Sequence, residues 1–233
     1  KLGLLIQHQK NKMITKYFSN LLNHSEIKEE FILEGKKVFS KPCKFMFGTT
    51  EPTQMPQPSL PEIAFVGASN VGKSSLINAL THQKKLCRVS KSPGSTQQIN
   101  FFNLGDIIWL VDLPGYGFAR VSKQQKKHWN QLINFYLNGR PTLRRVLLLV
   151  DGRHGIKQLD LDIMDILSNA AVVFEIIITK IDKLNLDEVE RTVSSLKTYI
   201  EKYSNCFPRI IATSSQNVTG VDILRGEIVF VSK

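Results

Sequence analysis

The sequence is poor in cysteine and has no long apolar run. Its 233 residues include 3 cysteines, at positions 43, 87 and 206, whose spacing fits neither a C-x-x-C motif nor a metal site. An odd number of unclustered cysteines favours reduced thiols in a cytoplasm over a disulfide framework. No apolar stretch approaches the ~18 residues that a membrane helix needs. The composition therefore predicts a cytoplasmic, monomeric protein without stable membrane association.

Acidic residues are scarce in the middle of the chain. Between residues 84 and 157, 13 Lys and Arg stand against 3 acidic residues, so this part contributes +10 to a total net charge of +11. From residue 158 onward, 8 basic and 11 acidic residues give −3. A charge run is usually a solvated face, but segregation of this size favours a surface that binds the phosphate backbone of a nucleic acid.

The most informative motif is the octet GASNVGKS at 67–74, a G-x-x-x-x-G-K-[ST] phosphate loop. An apolar run precedes it at 62–67 and an amphipathic segment follows it, so the loop connects a strand to a helix N-terminus. In such a loop, Lys73 reaches the β- and γ-phosphates and Ser74 offers its hydroxyl to Mg²⁺. We predict nucleotide contacts for the whole octet: Gly67, Ala68, Ser69, Asn70, Val71, Gly72, Lys73 and Ser74.

Two further motifs end apolar runs. The first is Asp112, Leu113, Pro114 and Gly115, a D-x-x-G in which Asp112 can hold Mg²⁺ through water and the Gly115 amide can donate to a γ-phosphate. The second is Thr179, Lys180, Ile181 and Asp182, an [NT]-K-x-D whose carboxylate can accept both the ring N–H and the amino N–H of guanine. Adenine has no such pair of donors on that edge. The sequence therefore predicts a guanine-nucleotide site.

Two segments give weaker signals. The strand-like run at 210–215 ends in Thr213, Ser214 and Ser215, which could present a backbone amide to the guanine carbonyl, although serine-rich strand ends are usually ordinary turns. The polar segment at 92–102 contains Thr96, whose hydroxyl could complete the Mg²⁺ shell. We predict further nucleotide contacts for Gly94, Ser95, Thr96, Gln97 and Gln98, metal ligation by Ser74, Thr96 and, through water, Asp112, and catalytic roles for Lys73, Thr96 and Gly115.

Taken in order, the motifs resemble a known family. EIAFVGASNVGKSSLINAL, SPGSTQQINFF, VDLPGYGFA, DGRHG, TKIDK and SSQNVTGVDIL are similar to segments of the bacterial EngB (YihA/YsxC) GTPases, within the translation-factor-like P-loop superfamily. The resemblance runs from about residue 44 to the C-terminus and departs at Ala68 and Ser95, where that family usually has arginine. It implies a Mg²⁺-dependent GTPase that acts in assembly of the large ribosomal subunit, contacts rRNA, and is needed for normal cell division and septation.

The rate of hydrolysis and the need for a second cation are further expectations. Where Ras-like GTPases have a water-orienting glutamine after D-x-x-G, this chain has Tyr116, so we expect slow intrinsic hydrolysis. Asn70 occupies the asparagine position of loops that resemble those of potassium-stimulated GTPases, which makes it a candidate K⁺ ligand. The alternative is that this variable position simply tolerates a polar residue.

Two other functions stay open on the residues alone. One is a division-associated factor that binds GTP without contacting the ribosome. The other is a P-loop phosphotransferase, which would need a lid and an acceptor-binding base. We find neither in the sequence.

The alternation of strand and helix patterns predicts the fold. From Glu62 it indicates an α/β P-loop GTPase domain over 62–233, with a doubly wound, mostly parallel six-stranded sheet and helices on both faces. Residues 44–61 are a proline-rich connection with a candidate edge strand at 44–48. Residues 1–43 form an N-terminal extension, for which a targeting peptide, an RNA-binding tail and a plain extension all stay open; Met13 is a candidate start.

Overall fold

The computed structural model describes residues 27–87, 98–117 and 123–233. In these ranges the helices are α1 Glu29–Phe39, α2 Lys73–Leu80, α3 Lys123–Gly139, α4 Gln158–Asn169, α5 Leu186–Lys202 and α6 Val221–Ser232. The strands are β1 Cys43–Thr49, β2 Glu62–Gly67, β3 Ile99–Leu104, β4 Ile108–Asp112, β5 Leu143–Asp151, β6 Phe174–Thr179 and β7 Cys206–Ala212. Short 3₁₀ turns cover Pro52–Gln54 and Ile181–Lys183.

The strands form a single sheet in the order β1-β3-β4-β2-β5-β6-β7. The pairs β4·β2, β2·β5, β5·β6 and β6·β7 are parallel, whereas β1·β3 and β3·β4 are antiparallel. The five parallel strands therefore all end at one edge of the sheet, called here the carboxyl-end edge, and begin at the opposite amino-end edge. The predicted doubly wound α/β architecture is confirmed.

The sheet has seven strands rather than the predicted six. The additional strand is β1, which includes the candidate edge strand at 44–48 and pairs antiparallel with β3. Two aromatic contacts join these strands: the Phe47 ring stacks on Phe101 at 5.0 Å between centroids, and Phe45 meets Phe102 edge-on at 5.6 Å. Cross-strand aromatic pairs of this kind stabilise an edge strand.

Apolar layers cover both faces of the sheet. One layer includes residues of α3, α4 and α5, and the other includes residues of α1, α2 and α6. The central parallel strands are continuous apolar runs because they are buried on both faces. β2 and β6 are buried along their whole length. No helix in the described ranges is long and apolar enough to cross a bilayer.

Helix α1 lies within the predicted N-terminal extension and packs against α6. Its first turn carries Glu29 and Glu30 and its last turn carries Lys36 and Lys37, an arrangement that complements the helix dipole. A Cβ at Gly35 would lie 2.6 Å from the backbone of α6, so glycine allows the two helices to approach closely.

The helix after the phosphate loop, α2, is short, with 8 residues. It ends at Leu80, and His82 adopts a left-handed backbone conformation with φ 55°. The buried Arg225 of α6 donates from Nε to the Leu80 carbonyl (2.9 Å) and from Nη2 to the Ala79 carbonyl (2.7 Å). An arginine at this end satisfies free carbonyls and complements the dipole, so α6 fixes the helix that carries the phosphate loop.

Candidate guanine-nucleotide site

The phosphate loop connects the end of β2 to the start of α2 at the carboxyl-end edge. Gly72, the residue before α2, has φ 110°, and Asn70 has φ 62°. The Val71 amide donates to the Ala68 carbonyl at 3.1 Å, which closes a tight turn within the loop. A left-handed glycine at this point lets the chain enter the helix so that its first amides are free for an anion.

Lys73 and Asp112 form a buried ion pair at the base of the loop. The Lys73 ammonium donates to Asp112 Oδ1, and the two residues are 7% and 2% exposed. Parallel pairing brings them together, because Asp112 at the end of β4 lies beside Phe65 of β2. The Ser74 hydroxyl and the Asp112 carboxylate are hard oxygen donors, and Mg²⁺ is usually held by one or two such groups together with phosphates and water. This donor set fits Mg²⁺.

The D-x-x-G loop lies directly against the phosphate loop. The Ser69 amide donates to the Tyr116 carbonyl at 2.9 Å, and Ala68 and Tyr116 form an isolated parallel β-bridge. A Cβ on Gly115 would lie 3.4 Å from the Gly67 carbonyl oxygen and 3.5 Å from the Ser69 hydroxyl. The structure therefore brings Gly115 to the phosphate loop, as the sequence predicted.

Side chains from outside the motif hold both neighbours of Gly115. Trp129 Nε1 of α3 donates to the Pro114 carbonyl at 3.1 Å. The Tyr116 hydroxyl donates to Asp160 Oδ1 at 2.6 Å. Burial raises the pKa of Tyr116 well above its ordinary value, and the Asp160 carboxylate adds to the effect, so the hydroxyl stays a donor at neutral pH.

The T-K-x-D segment at the end of β6 also contacts the phosphate loop. Thr179 Oγ1 donates to the Val71 carbonyl at 2.7 Å. Lys180 Nζ donates to the Asn70 carbonyl at 2.6 Å and to Asp151 Oδ2 at 2.9 Å. The motif predicted to bind the base is therefore bonded to the motif predicted to bind the phosphates.

Asp182, the predicted guanine acceptor, is held by the segment after β7. Ser214, which is fully buried, donates from its hydroxyl to Asp182 Oδ1 at 2.6 Å. The Ser214 amide donates to the Thr219 carbonyl at 3.0 Å, and Thr213 Oγ1 donates to the Ile178 carbonyl at 2.9 Å. In this arrangement Ser214 orients the carboxylate, a role that the sequence did not suggest.

Asp151 is a site residue that the sequence analysis missed. Burial alone would raise its pKa, but hydrogen bonds from Arg153 and Lys180 hold the pKa of Asp151 well below its ordinary value. Arg153 donates from Nε at 3.0 Å and from Nη2 at 2.7 Å. Asp151 and Thr179 are paired at the ends of neighbouring strands β5 and β6, and the D-G-R-H-G segment directly after an apolar run was the available signal.

Not every predicted residue falls within the described ranges. Gly94, Ser95, Thr96 and Gln97 lie outside them, so their roles stay predictions. Gln98 lies at the start of a described range, where its Nε2 donates to Asn100 Oδ1 at 2.9 Å.

Comparisons with known proteins show the family of the chain. Residues 62–180 match a family described as "50S ribosome-binding GTPase". The chain is 46% identical to a "Probable GTP-binding protein EngB" of Gluconobacter oxydans, over 86% of this chain and 88% of that protein. It is 47% identical to the protein of the same name from Caulobacter vibrioides, over 88% of this chain and 90% of that one.

Solved structures of similar fold include two GTP-binding proteins. The crystal structure of a probable GTP-binding protein engB is 26% identical, with a TM-score of 0.56, and the match covers 73% of this chain and 97% of that one. The structure of an Aquifex aeolicus Era variant bound to GDP.AlF4- has a TM-score of 0.60 at 21% identity, covering 74% of this chain and 56% of that chain. At this identity, the similarity to Era shows the fold alone.

Proposed function

Because the chain belongs to the EngB family of GTP-binding proteins and is a GTPase, we propose that it is a GTP-dependent switch in assembly of the large ribosomal subunit. In this proposal GTP orders the loops at 92–100 and 113–125 into a surface that docks on rRNA, and hydrolysis releases it. The supporting observation is the 2.9 Å bond between the Ser69 amide and the Tyr116 carbonyl, which couples the D-x-x-G loop to the phosphate loop.

The residues of the site suit binding of a triphosphate. Lys73 is buried beside a single carboxylate, from which its ammonium can transfer to a phosphate without losing a charged partner. Ser74 and Asp112 would hold Mg²⁺, which neutralises charge on the β- and γ-phosphates when bound. The Gly115 amide would then donate to the γ-phosphate, and the Asp182 carboxylate would bind guanine.

The charge on the described surface supports an RNA partner. The basic segment at 84–157 keeps exposed residues at Lys84, Lys85, Lys127, Arg144 and Lys157. Two of its arginines, at positions 140 and 145, are instead buried in ion pairs with glutamates and add nothing to the surface. The remaining exposed cations can contact a phosphate backbone, which would make binding strongly salt dependent.

Slow intrinsic hydrolysis is part of the proposal. The Tyr116 side chain is 7% exposed and its hydroxyl is bonded to Asp160, so it is not available to orient the attacking water. The docked RNA or a K⁺ ion at Asn70 would supply the missing stabilisation. Turnover should therefore be compared in Na⁺ and K⁺ at equal ionic strength, with and without large subunits, for wild type and Asn70→Ala. Fast, cation-independent turnover of the isolated protein would contradict this.

Co-sedimentation with purified large ribosomal subunits tests the switch. We expect the protein to sediment with the subunits in a non-hydrolysable GTP analogue but not in GDP. A Lys84→Glu, Lys85→Glu double variant should weaken sedimentation, whereas Lys202→Glu, on the acidic part of the chain, should not. Sedimentation that is absent, or equal in both nucleotides, would overturn the proposal.

Depletion in cells tests the biological role. The proposal predicts accumulation of large-subunit precursors together with impaired septation. A division factor without ribosome contact would impair septation with no precursor accumulation.

Thr96→Ala tests the segment at 92–100. The substitution should weaken GTP binding much more than GDP binding, because only the γ-phosphate draws this segment inward.

A further inference from the structure

The Tyr116 side chain makes contacts that the replacement of a glutamine does not explain. Tyr116 directly follows Gly115, and its backbone is bonded to the phosphate loop. Its hydroxyl forms a hydrogen bond with Asp160, which is 4% exposed and lies 44 residues later in the chain. A buried bond to a carboxylate is among the stronger hydrogen bonds in proteins, so it restrains the residue that carries it.

Asp160 is itself fixed in place. It is the third residue of α4, and its Oδ2 accepts a hydrogen bond from the Lys157 amide at 2.8 Å. Its own amide donates to the Lys157 carbonyl at 2.9 Å. Both carboxylate oxygens are therefore used, one by the start of the helix and one by Tyr116. The tyrosine hydroxyl is anchored to a rigid element.

The peptide of Gly115 is held from both sides. Trp129 binds the Pro114 carbonyl, and the Tyr116 and Trp129 rings meet edge-on with 6.5 Å between centroids. Two outer helices, α3 and α4, thus restrain the residues that flank the Gly115 amide. This amide is the group in the D-x-x-G loop that can distinguish GTP from GDP, because GDP has no γ-phosphate to accept from it.

We propose that Tyr116 and Asp160 form a positioning pair that holds the Gly115 amide in place for the γ-phosphate and so contributes to the preference for GTP over GDP. The inference rests on the proposed switch, in which Gly115 senses the γ-phosphate. If the pair is removed, part of the binding free energy of GTP is needed to order the D-x-x-G loop, so GTP binds more weakly. GDP has no γ-phosphate to bind the Gly115 amide, so its affinity does not change.

The chain contains a second tyrosine–aspartate bond to α4 that serves as a control. Tyr203, which is 7% exposed like Tyr116, donates from its hydroxyl to Asp165 Oδ1 of the same helix at 2.7 Å. Its ring also makes an edge-on aromatic contact, with Phe174 at 6.1 Å between centroids. Removing this hydroxyl deletes a bond to α4 of similar length that does not touch the D-x-x-G loop, although its acceptor Asp165 is exposed.

The test compares Tyr116→Phe with Tyr203→Phe by titrating a non-hydrolysable GTP analogue and GDP and by measuring the thermal midpoint. We expect Tyr116→Phe to weaken the analogue about five- to tenfold and GDP by less than about twofold, as the loss of one bond to a carboxylate implies. Tyr203→Phe should lower the midpoint but leave the ratio of the two affinities unchanged. Asp160→Asn, which keeps an oxygen acceptor for Tyr116, should give a smaller change in the same ratio and provides the measurement if Tyr116→Phe does not fold.

An unchanged ratio in Tyr116→Phe, or an equal change in Tyr203→Phe, would overturn the positioning pair. If that happens while the wild type still sediments with large subunits only in the GTP analogue, the pair alone is wrong. If the ratio changes as expected but sedimentation does not depend on the nucleotide, the proposed function is wrong and the pair stands.

Discussion

The two edges of the sheet both bury charged residues, but they pair them differently. At the amino-end edge, Arg145 Nη1 donates to Glu175 Oε2 and to Glu227 Oε1, both at 3.0 Å, and Arg209 pairs with the same two glutamates. Burial, then the neighbouring Glu227, raise the pKa of Glu175 to about 7, against the opposing effect of Arg209 and Arg145. The guanidinium of Arg145 lies 4.2 Å from the Phe207 ring centre.

At the carboxyl-end edge the corresponding cations are lysines, of which Lys73 is buried and Lys180 is half-buried. Lys73 pairs with one carboxylate, that of Asp112, and Lys180 pairs with Asp151 and a backbone carbonyl. A lysine is a point charge on a flexible stem, whereas an arginine presents a planar fork that bonds several acceptors at once.

This difference in pairing distinguishes a structural network of charges from a pair that can bind a ligand. The arginine network satisfies its carboxylates from several directions, so removing one member leaves uncompensated buried charge. A lysine beside a single carboxylate can exchange that partner for a phosphate. Lys73 and Arg145 are similarly buried, at 7% and 8% exposed, but differ in the type of cation and in the number of partners, which favours the edge with Lys73 as the one that binds the ligand.

The largest expected effect comes from breaking the arginine network. Arg145→Ala leaves the two buried glutamates with Arg209 as their one remaining arginine in this network, so one buried negative charge is uncompensated and we expect the free energy of unfolding to fall by about 3–5 kcal/mol. The preference for GTP over GDP should not change in the folded fraction. Urea unfolding checks the first expectation, with the exposed neighbour Arg144→Ala as control. Equal losses in both variants would contradict the structural role.

The second prediction removes a lysine from the opposite edge. Lys73→Ala should weaken triphosphate binding by about a hundredfold or more, which corresponds to at least ~2.7 kcal/mol. Fluorescence titration with a labelled GTP analogue measures this loss. The exposed Lys85, shortly after α2, is the matched position, and Lys85→Ala should bind normally. Retained tight binding in Lys73→Ala would show that the buried lysine is structural after all.

The third prediction concerns the base. Asp182→Asn removes one of the paired acceptors for guanine, and we expect about a ten- to hundredfold loss of GTP and GDP affinity. Xanthine nucleotides, which carry a carbonyl in place of the amino group, should be tolerated better by the variant. Asp187→Asn, at an exposed position in α5, is the control. Unchanged affinity for GTP in Asp182→Asn would refute the assignment of the guanine acceptor.

The fourth prediction addresses Asp151, which links the base motif to the phosphate loop. Asp151→Asn replaces the ion pair with Lys180 by a weaker hydrogen bond. We therefore expect the affinities for GTP and GDP to fall equally, by about two- to tenfold. Hydrogen bonds hold the pKa of Asp151 below its ordinary value, so the ionised carboxylate contributes to nucleotide affinity at any pH above the ordinary pKa. This contribution is lost only when the pH falls through the lowered pKa. Wild-type affinity should therefore show no titration of this group between pH 7 and 5. A GTP-selective loss would place Asp151 with the γ-phosphate instead.

The smallest expected effect is stabilising. Val218 has φ 63° and is 53% exposed, in the segment that follows the base-binding residues. A β-branched residue is strained in the left-handed region, whereas asparagine tolerates it. Val218→Asn should raise the free energy of unfolding by about 0.5–1 kcal/mol without altering nucleotide affinity. A stability that falls in chemical denaturation would argue against strain at this position.

The sequence predicted where the proposed nucleotide-binding motifs lie because each motif ends an apolar run. Parallel pairing of those runs was enough to place Gly67, Asp112 and Thr179 at one edge. Tertiary partners were not predictable in this way: Asp160 and Ser214 act on residues 44 and 32 positions away, and no spacing rule links them.

Local patterns also misjudged burial. Arg140 and Arg145 count as surface charge in the sequence, yet both are 8% exposed, because Glu62, Glu175 and Glu227 are buried beside them. Helix α1 was not predicted, although acidic and basic residues mark its two ends. The sequence predicted β1 only as a candidate edge strand within a proline-rich connection. The aromatic contacts with β3 explain why it joins the sheet.

Strand β1 also has a consequence for how the molecule meets other chains. By pairing with β3, it occupies the backbone donors and acceptors that this strand would otherwise offer to an incoming peptide. The outer border of the sheet on this side is then β1 itself, which carries the exposed Lys44 and an irregular register between Phe45 and Phe47. Charged side chains and bulges on a terminal strand discourage further strand addition. The protein is thereby protected against edge-to-edge aggregation at this border of its sheet.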